Sequence, residues 1–247
     1  MHRRARHFSA KAAGAKLYYD TRYLTDSDGT ALQTLSDRAG TYNATEATST
    51  KRPLVKTGSN GIGGQPVLLF DGTDDDLQAS SVPLDTYMTL VWTVKAISTV
   101  NIPIILEQGP DSNNNAGFLV TTSGGVVSPD GSASWLVNRS GTAQYDVGVG
   151  IQYWSGSSAI VASYRYSQTE RGIYRKNCVT QNNVSYLGSE RSNSTATANL
   201  NIFSRNRTGV FGNGNLGTVF IANGSLGIPL MRRIEHAAGY SFKIACS

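Results

Sequence analysis

The sequence predicts an all-β chain folded as a single domain, either a two-layer antiparallel sandwich with Greek-key crossings or a barrel, and three observations carry that prediction. Apolar residues recur with period two in short runs along the chain, the signature of strands with two unlike faces. Gly 26, Tyr 12 and 16% charged residues suit many short strands joined by turns. No internal repeat or linker divides the 247 residues, a length that one β domain commonly fills. Such a domain buries roughly 70–75% of its unfolded surface and needs no staple.

Leu17-Tyr18-Tyr19 reads as the first strand, followed by a turn-rich stretch with Asp-Ser-Asp-Gly at 26–29 and Gly-Ser-Asn-Gly at 58–61. Val67 to Phe70 is an apolar run bounded by Gly-Gly and Asp-Gly, which predicts a strand covered on both faces and a reversal of the chain by Leu77. Met88, Leu90, Trp92, Val94 and Ala96 then alternate with Thr89, Val91, Thr93 and Lys95. Ile102 to Leu106 and Phe118 to Val120 are shorter runs, and Ala143 to Tyr153 gives the clearest alternation. Ile160, Ala162, Tyr164 and Tyr166 repeat it against Ser163, Arg165 and Ser167. Strands are expected around Ile173, 185–187, 200–202 and 219–221. Pro229 suits a first helical turn, Met231, Ile234 and Ala238 share one face of that helix, Gly239 can end it, and Arg232 and Arg233 face water.

The blocks Arg52-Pro53, Gly64-Gln65-Pro66-Val67 and Phe70-Asp71-Gly72-Thr73-Asp74-Asp75 resemble the first third of the concanavalin A-like (laminin-G-like) jelly-roll domains of phage virion and bacterial surface proteins. Upstream, Tyr19-Asp20, Asp28-Gly29, Ser36 to Gly40 and Asn43-Ala44-Thr45 are similar to that family's opening blocks, and 217–226 is similar to its last strand. The resemblance implies a two-sheet antiparallel jelly-roll sandwich with a short C-terminal helix, spanning 17–247 behind an N-terminal arm of 1–16.

Arg3, Arg4, Arg6, Lys11 and Lys16 give that arm a charge of +5 with no acid, equal to the net charge of the whole chain, so the body is neutral. A body-wide nucleic-acid surface is therefore not expected, and contact with phosphates is confined to the arm. The alternative is an arm that docks on an acidic neighbouring subunit. No signal peptide or membrane-spanning run is visible, so insertion into a membrane is not expected. Cys178 and Cys246 can pair only if the C-terminus folds back beside the 178 loop, and synthesis in a reducing cytoplasm favours two free thiols.

A catalytic centre is not expected. Glycoside hydrolysis needs two carboxylates roughly 5–10 Å apart, and none of Glu46, Glu107, Glu170, Glu190 and Glu235 has a second acid two or four residues along a strand. The E-x-D-x-x-E pattern of the family's glucanases is missing. His2, His7 and His236, with two cysteines, are not spaced as zinc ligands. Asp71, Asp74 and Asp75 form a candidate Ca²⁺ cluster on a turn, set against a simple solvated turn, since one short loop rarely completes a shell of six to eight oxygens. Trp154, which breaks the phase of its strand, is the candidate sugar-stacking residue, with Asn113 and Asn114 beside it. No other cofactor is implied.

From these residues we expect a non-enzymatic structural protein of a phage-like virion, made in the host cytoplasm. Its arm would dock on other subunits or copies of itself, and its body would contact host glycans. The alternative is a carbohydrate-binding module of a bacterial surface protein. A third reading is a glycan hydrolase relying on Glu107 or Glu170.

Overall fold

The computed structural model of the protein describes residues 9–85, 87–96, 104–108, 115–121, 134–141, 143–149, 158–165, 172–184, 195–204, 207 and 211–246. In chain order the strands are β1 (Leu17–Asp20), β2 (Thr34–Leu35), β3 (Ala44–Thr45), β4 (Leu54–Gly58), β5 (Gly64–Asp71), β6 (Leu77–Asp85), β7 (Met88–Ala96) and β8 (Ile104–Gln108). They continue as β9 (Asn115–Thr121), β10 (Ser134–Gly141), β11 (Ala143–Val149), β12 (Ile160–Arg165), β13 (Gly172–Lys176), β14 (Val179–Val184), β15 (Thr195–Ile202) and β16 (Asn213–Asn223), with helix α1 at Ile228–Ser241.

Two antiparallel sheets form a jelly-roll sandwich. The first has the order β14-β13-β12-β7-β16-β5-β4, and the second β11-β10-β9-β8-β15-β6-β3-β2. β16 carries β7 along one edge, while β5 and β1 share its other edge end to end, pairing with 213–216 and 218–221. Thr21 stitches that junction by donating its hydroxyl toward the Pro66 and Gly217 carbonyls at 2.6 and 2.8 Å.

The alternation in β7 sorts its residues as expected. Leu90, Trp92 and Val94 enter the core between the sheets, with Leu17, Tyr19, Leu68, Phe70, Leu106, Leu200 and Ile202, while Val91 faces away. The opposite face is also covered, since Val91, Val67, Val161 and Phe220 pack beneath Met231, Ile234, Ala238 and Phe242 in a second core under α1. That layer explains why Val67–Phe70 is apolar on both faces. It also explains why Ser163 and Arg165, on the polar side of β12, are buried.

Two expectations need correction in detail. The Asp71-Gly72 turn does not close a hairpin: β5 lies in the first sheet and β6 in the second, so the turn carries the chain across the sandwich. Helix α1 passes Gly239 and ends at Ser241. A Cβ at Gly239 would lie 2.8 Å from Cys246 Sγ, so the glycine makes room for the returning tail instead of ending the helix. Arg232 and Arg233 are exposed, as expected.

The free-thiol expectation is overturned. Cys178 and Cys246 form a disulfide, with Cα atoms 5.0 Å apart. The condition for pairing is met because the tail turns back after α1, Ile244 N–H donating to the Gly239 carbonyl at 2.9 Å. On the other side, a turn with positive φ at Asn177 (47°) and Cys178 (68°) presents the second sulfur.

Candidate functional site

Leu77 and Ala79 of β6 point into the sandwich core, so Gln78 between them lies on the outer face of the second sheet. The same logic puts Asn201 outside, between core residues Leu200 and Ile202, and puts Thr45 beside core residue Ala44. Register then aligns them in one row: Thr45 opposite Gln78, Gln78 opposite Asn201, and Asn201 opposite Glu107. The row continues through positions Leu119, Val137 and Asp146 of β9, β10 and β11.

The first four positions of this row, Thr45 to Glu107, are polar where an outer face could have been either wet or apolar. Thr45 is exposed and Gln78 half-buried, but Asn201 is 0% and Glu107 4% exposed. Gln78 Nε2 donates to Asn201 Oδ1 at 2.7 Å, which leaves Asn201 Nδ2 buried without a hydrogen-bond partner. An unmade bond at a buried amide costs about 1–3 kcal/mol. Side-chain amides beside a carboxylate offer donors and acceptors of the kind that adjacent hydroxyl groups require. The sequence marked Leu200-Asn201-Ile202 only as a strand; the signal it held was a lone polar residue between two apolar ones.

The acidic turn after β5 is organised mainly by its own backbone. Asp71 Oδ1 accepts from Thr73 N–H at 2.7 Å, Asp75 Oδ2 accepts from Asp71 N–H at 3.0 Å, and Gly72 takes φ 80°. Carboxylate oxygens of Asp71, Asp74 and Asp75 lie within 4.8 Å of one another. Burial, reinforced by the Asp71 and Asp74 charges, pushes the Asp75 carboxyl up to about 6. Asp76 leaves this group and pairs with Arg207 Nε at 2.9 Å, and the same guanidinium also pairs with Glu46.

Among the acids weighed for hydrolysis, Glu46 is thus held by Arg207, and Glu235 is held by Arg175 Nε at 2.8 Å. Glu107 alone of the described glutamates stands on the polar row. Glu170 and Glu190 lie outside the described residues, as do Trp154, Asn113, Asn114, Arg3, Arg4 and Arg6. Lys11 is exposed beside Ala10 and Ala13, which are buried in the second core, and Lys16 Nζ sits 5.4 Å from the centre of the Tyr42 ring. Among the described residues, no helix is long and apolar enough to cross a membrane.

The structure also assembles a group that spacing did not suggest. Cys178, His236 and Cys246 bring their ligating atoms within 4.8 Å of one another, although 58 residues of sequence separate the first two. The disulfide currently joins both sulfurs.

The sequence matches no protein-family model and no curated protein. Its fold does have solved counterparts. Domain 4 of a GH43 extracellular arabinanase from Geobacillus stearothermophilus, solved in complex with arabinotriose, superposes with a TM-score of 0.65 at 13% identity, covering 90% of this chain and 99% of that domain. Trypanosoma rangeli sialidase matches with a TM-score of 0.55 at 13% identity over 93% of this chain, and its complex with sialic acid with 0.56 at 12% over 93%. The chain spans about a third of the length of those sialidases. The virion assignment is thereby corrected: the fold leads to domains of glycan-processing enzymes and not to phage structural proteins.

Proposed function

We propose that this chain is a non-catalytic carbohydrate-binding module of the concanavalin A-like class, taking a neutral oligosaccharide along the outer face of the second sheet. The observation that carries the reading is the run of Thr45, Gln78, Asn201 and Glu107 set side by side on that face, in which Asn201 Nδ2 is a buried donor with no partner. The arabinanase domain of the same fold, nearly all of which aligns with this chain, was solved with a neutral trisaccharide and supports the same reading.

Absence of catalysis is part of the proposal. The next acidic position on the row, Asp146, is three strands from Glu107, so their Cα atoms stand about 14 Å apart at about 4.8 Å per strand. Glycosidic acid pairs work at about 5–10 Å. Calorimetric titration with arabinotriose, other neutral oligosaccharides and a sialylated control tests both halves. The proposal expects binding of at least one neutral ligand, weaker binding of the sialylated one, and no new reducing ends. Comparing Asn201→Ala with Trp154→Ala separates the row from the stacking residue expected from sequence. Release of sugar that Glu107→Gln abolishes would overturn the non-catalytic half.

A further inference from the structure

We infer that breaking the Cys178–Cys246 disulfide converts the tail of this protein into a metal site, with Cys178, His236 and Cys246 as three ligands to a thiophilic divalent cation such as Zn²⁺. The three ligating atoms already lie within 4.8 Å of one another in the folded chain. Two thiolates and a neutral imidazole form a ligand set that zinc accepts, with sulfur at about 2.3 Å and nitrogen at about 2.0 Å. On a tetrahedron of those bond lengths the sulfurs stand about 3.8 Å apart, so the pair needs to open by less than 2 Å from its bonded contact. Cys178 is held in its turn by Arg175, which donates to the Cys178 carbonyl, and Cys246 lies against α1. His236 is exposed on α1, so the fourth coordination position opens to water.

The chemistry balances with a dithiol as reductant. Its thiolate attacks one sulfur of the disulfide, its second thiol completes the exchange, and two electrons pass to the protein as the S–S bond breaks and the dithiol leaves as its own cyclic disulfide. The two cysteine thiols then release two protons when the cation binds. Oxidation and metal binding are mutually exclusive, because zinc binds the two thiolates and the disulfide holds neither. The tail is therefore locked in one of two ways according to its redox state.

The test uses the full chain, oxidised or reduced with a water-soluble phosphine and then desalted under argon, titrated with Co²⁺ and back-titrated with Zn²⁺. The reduced protein is expected to bind one equivalent of cobalt with a sulfur-to-cobalt charge-transfer band that zinc abolishes, and the oxidised protein to show no such band. His236→Ala, an exposed position whose fold is checked by thermal melting, is expected to weaken cobalt binding at least about tenfold. A reduced protein that gives no charge-transfer band, that loses its fold on reduction, or that binds cobalt equally well with Ala at 236 overturns the inference.

Discussion

Gln78 and Asn201 meet across β6 and β15 through a single 2.7 Å hydrogen bond, and that bond spends the Asn201 oxygen while leaving its nitrogen buried and unpaired. The consequence for stability is unusual for a fully buried polar residue. Asn201→Ala removes an unsatisfied donor along with one hydrogen bond, so the two effects offset and unfolding free energy should change by no more than about 1 kcal/mol. Urea denaturation measures this, and a loss of several kcal/mol would mean that the amide is part of the structural frame.

Arg175 and Glu235 form a buried pair of a different kind. Their side chains are 3% and 1% exposed; Arg175 also donates to Thr180 Oγ1 at 2.6 Å, and Ser163 donates to Glu235. Glu235→Gln strands a guanidinium under α1 and should cost about 3–5 kcal/mol, whereas replacing both partners with Met and Leu should cost less than the single change. Urea midpoints of the three proteins decide the matter.

Gly63 and Gly29 both take positive φ, 59° and 83°, but only one is crowded. A Cβ at Gly63 would lie 2.2 Å from the Phe242 carbonyl oxygen, while one at Gly29 meets nothing within 4 Å. Gly29→Ala should therefore cost about 1 kcal/mol of backbone strain and Gly63→Ala about 3 kcal/mol or more, because the tail behind α1 must move. Thermal melts of the two variants give the comparison.

Asp75 should imprint a pH dependence. Its carboxyl is raised from 3.8 to about 6 in the folded chain, so folding favours the protonated form. The stabilisation is complete below about pH 4 and is lost as pH rises through about 6, a change of about 1–2 kcal/mol. Asp75→Asn, whose oxygen can still accept from Asp71 N–H, should reduce the slope of the stability profile measured by urea denaturation between pH 4 and 7, the remainder coming from Asp76, whose carboxyl is also pushed up to about 6 by burial.

The layers of the fold were legible because they are written locally. Met88 to Ala96 alternates along one strand, and Met231, Ile234 and Ala238 recur on one helix face, so period alone assigns them. What pairs with what is not written locally. Gln78, Asn201 and Glu107 come from strands far apart in the sequence, and only the order β8-β15-β6 sets them side by side. Cys178 and Cys246 were misread for the same reason: compartment argued for thiols, while the return of the tail past Gly239 brings the sulfurs together. Trp154, which breaks the phase of its strand, lies outside the described residues, and the polar row announces itself only through burial on the outer face of a sheet.

The most direct measurement is a calorimetric titration of wild type and Asn201→Ala with the same neutral oligosaccharides, starting with arabinotriose. Saturable binding by wild type that weakens at least about tenfold in the variant, about 1.4 kcal/mol, is the predicted result. No binding by wild type, or equal affinity in both proteins, would contradict the assignment of the row as a sugar site.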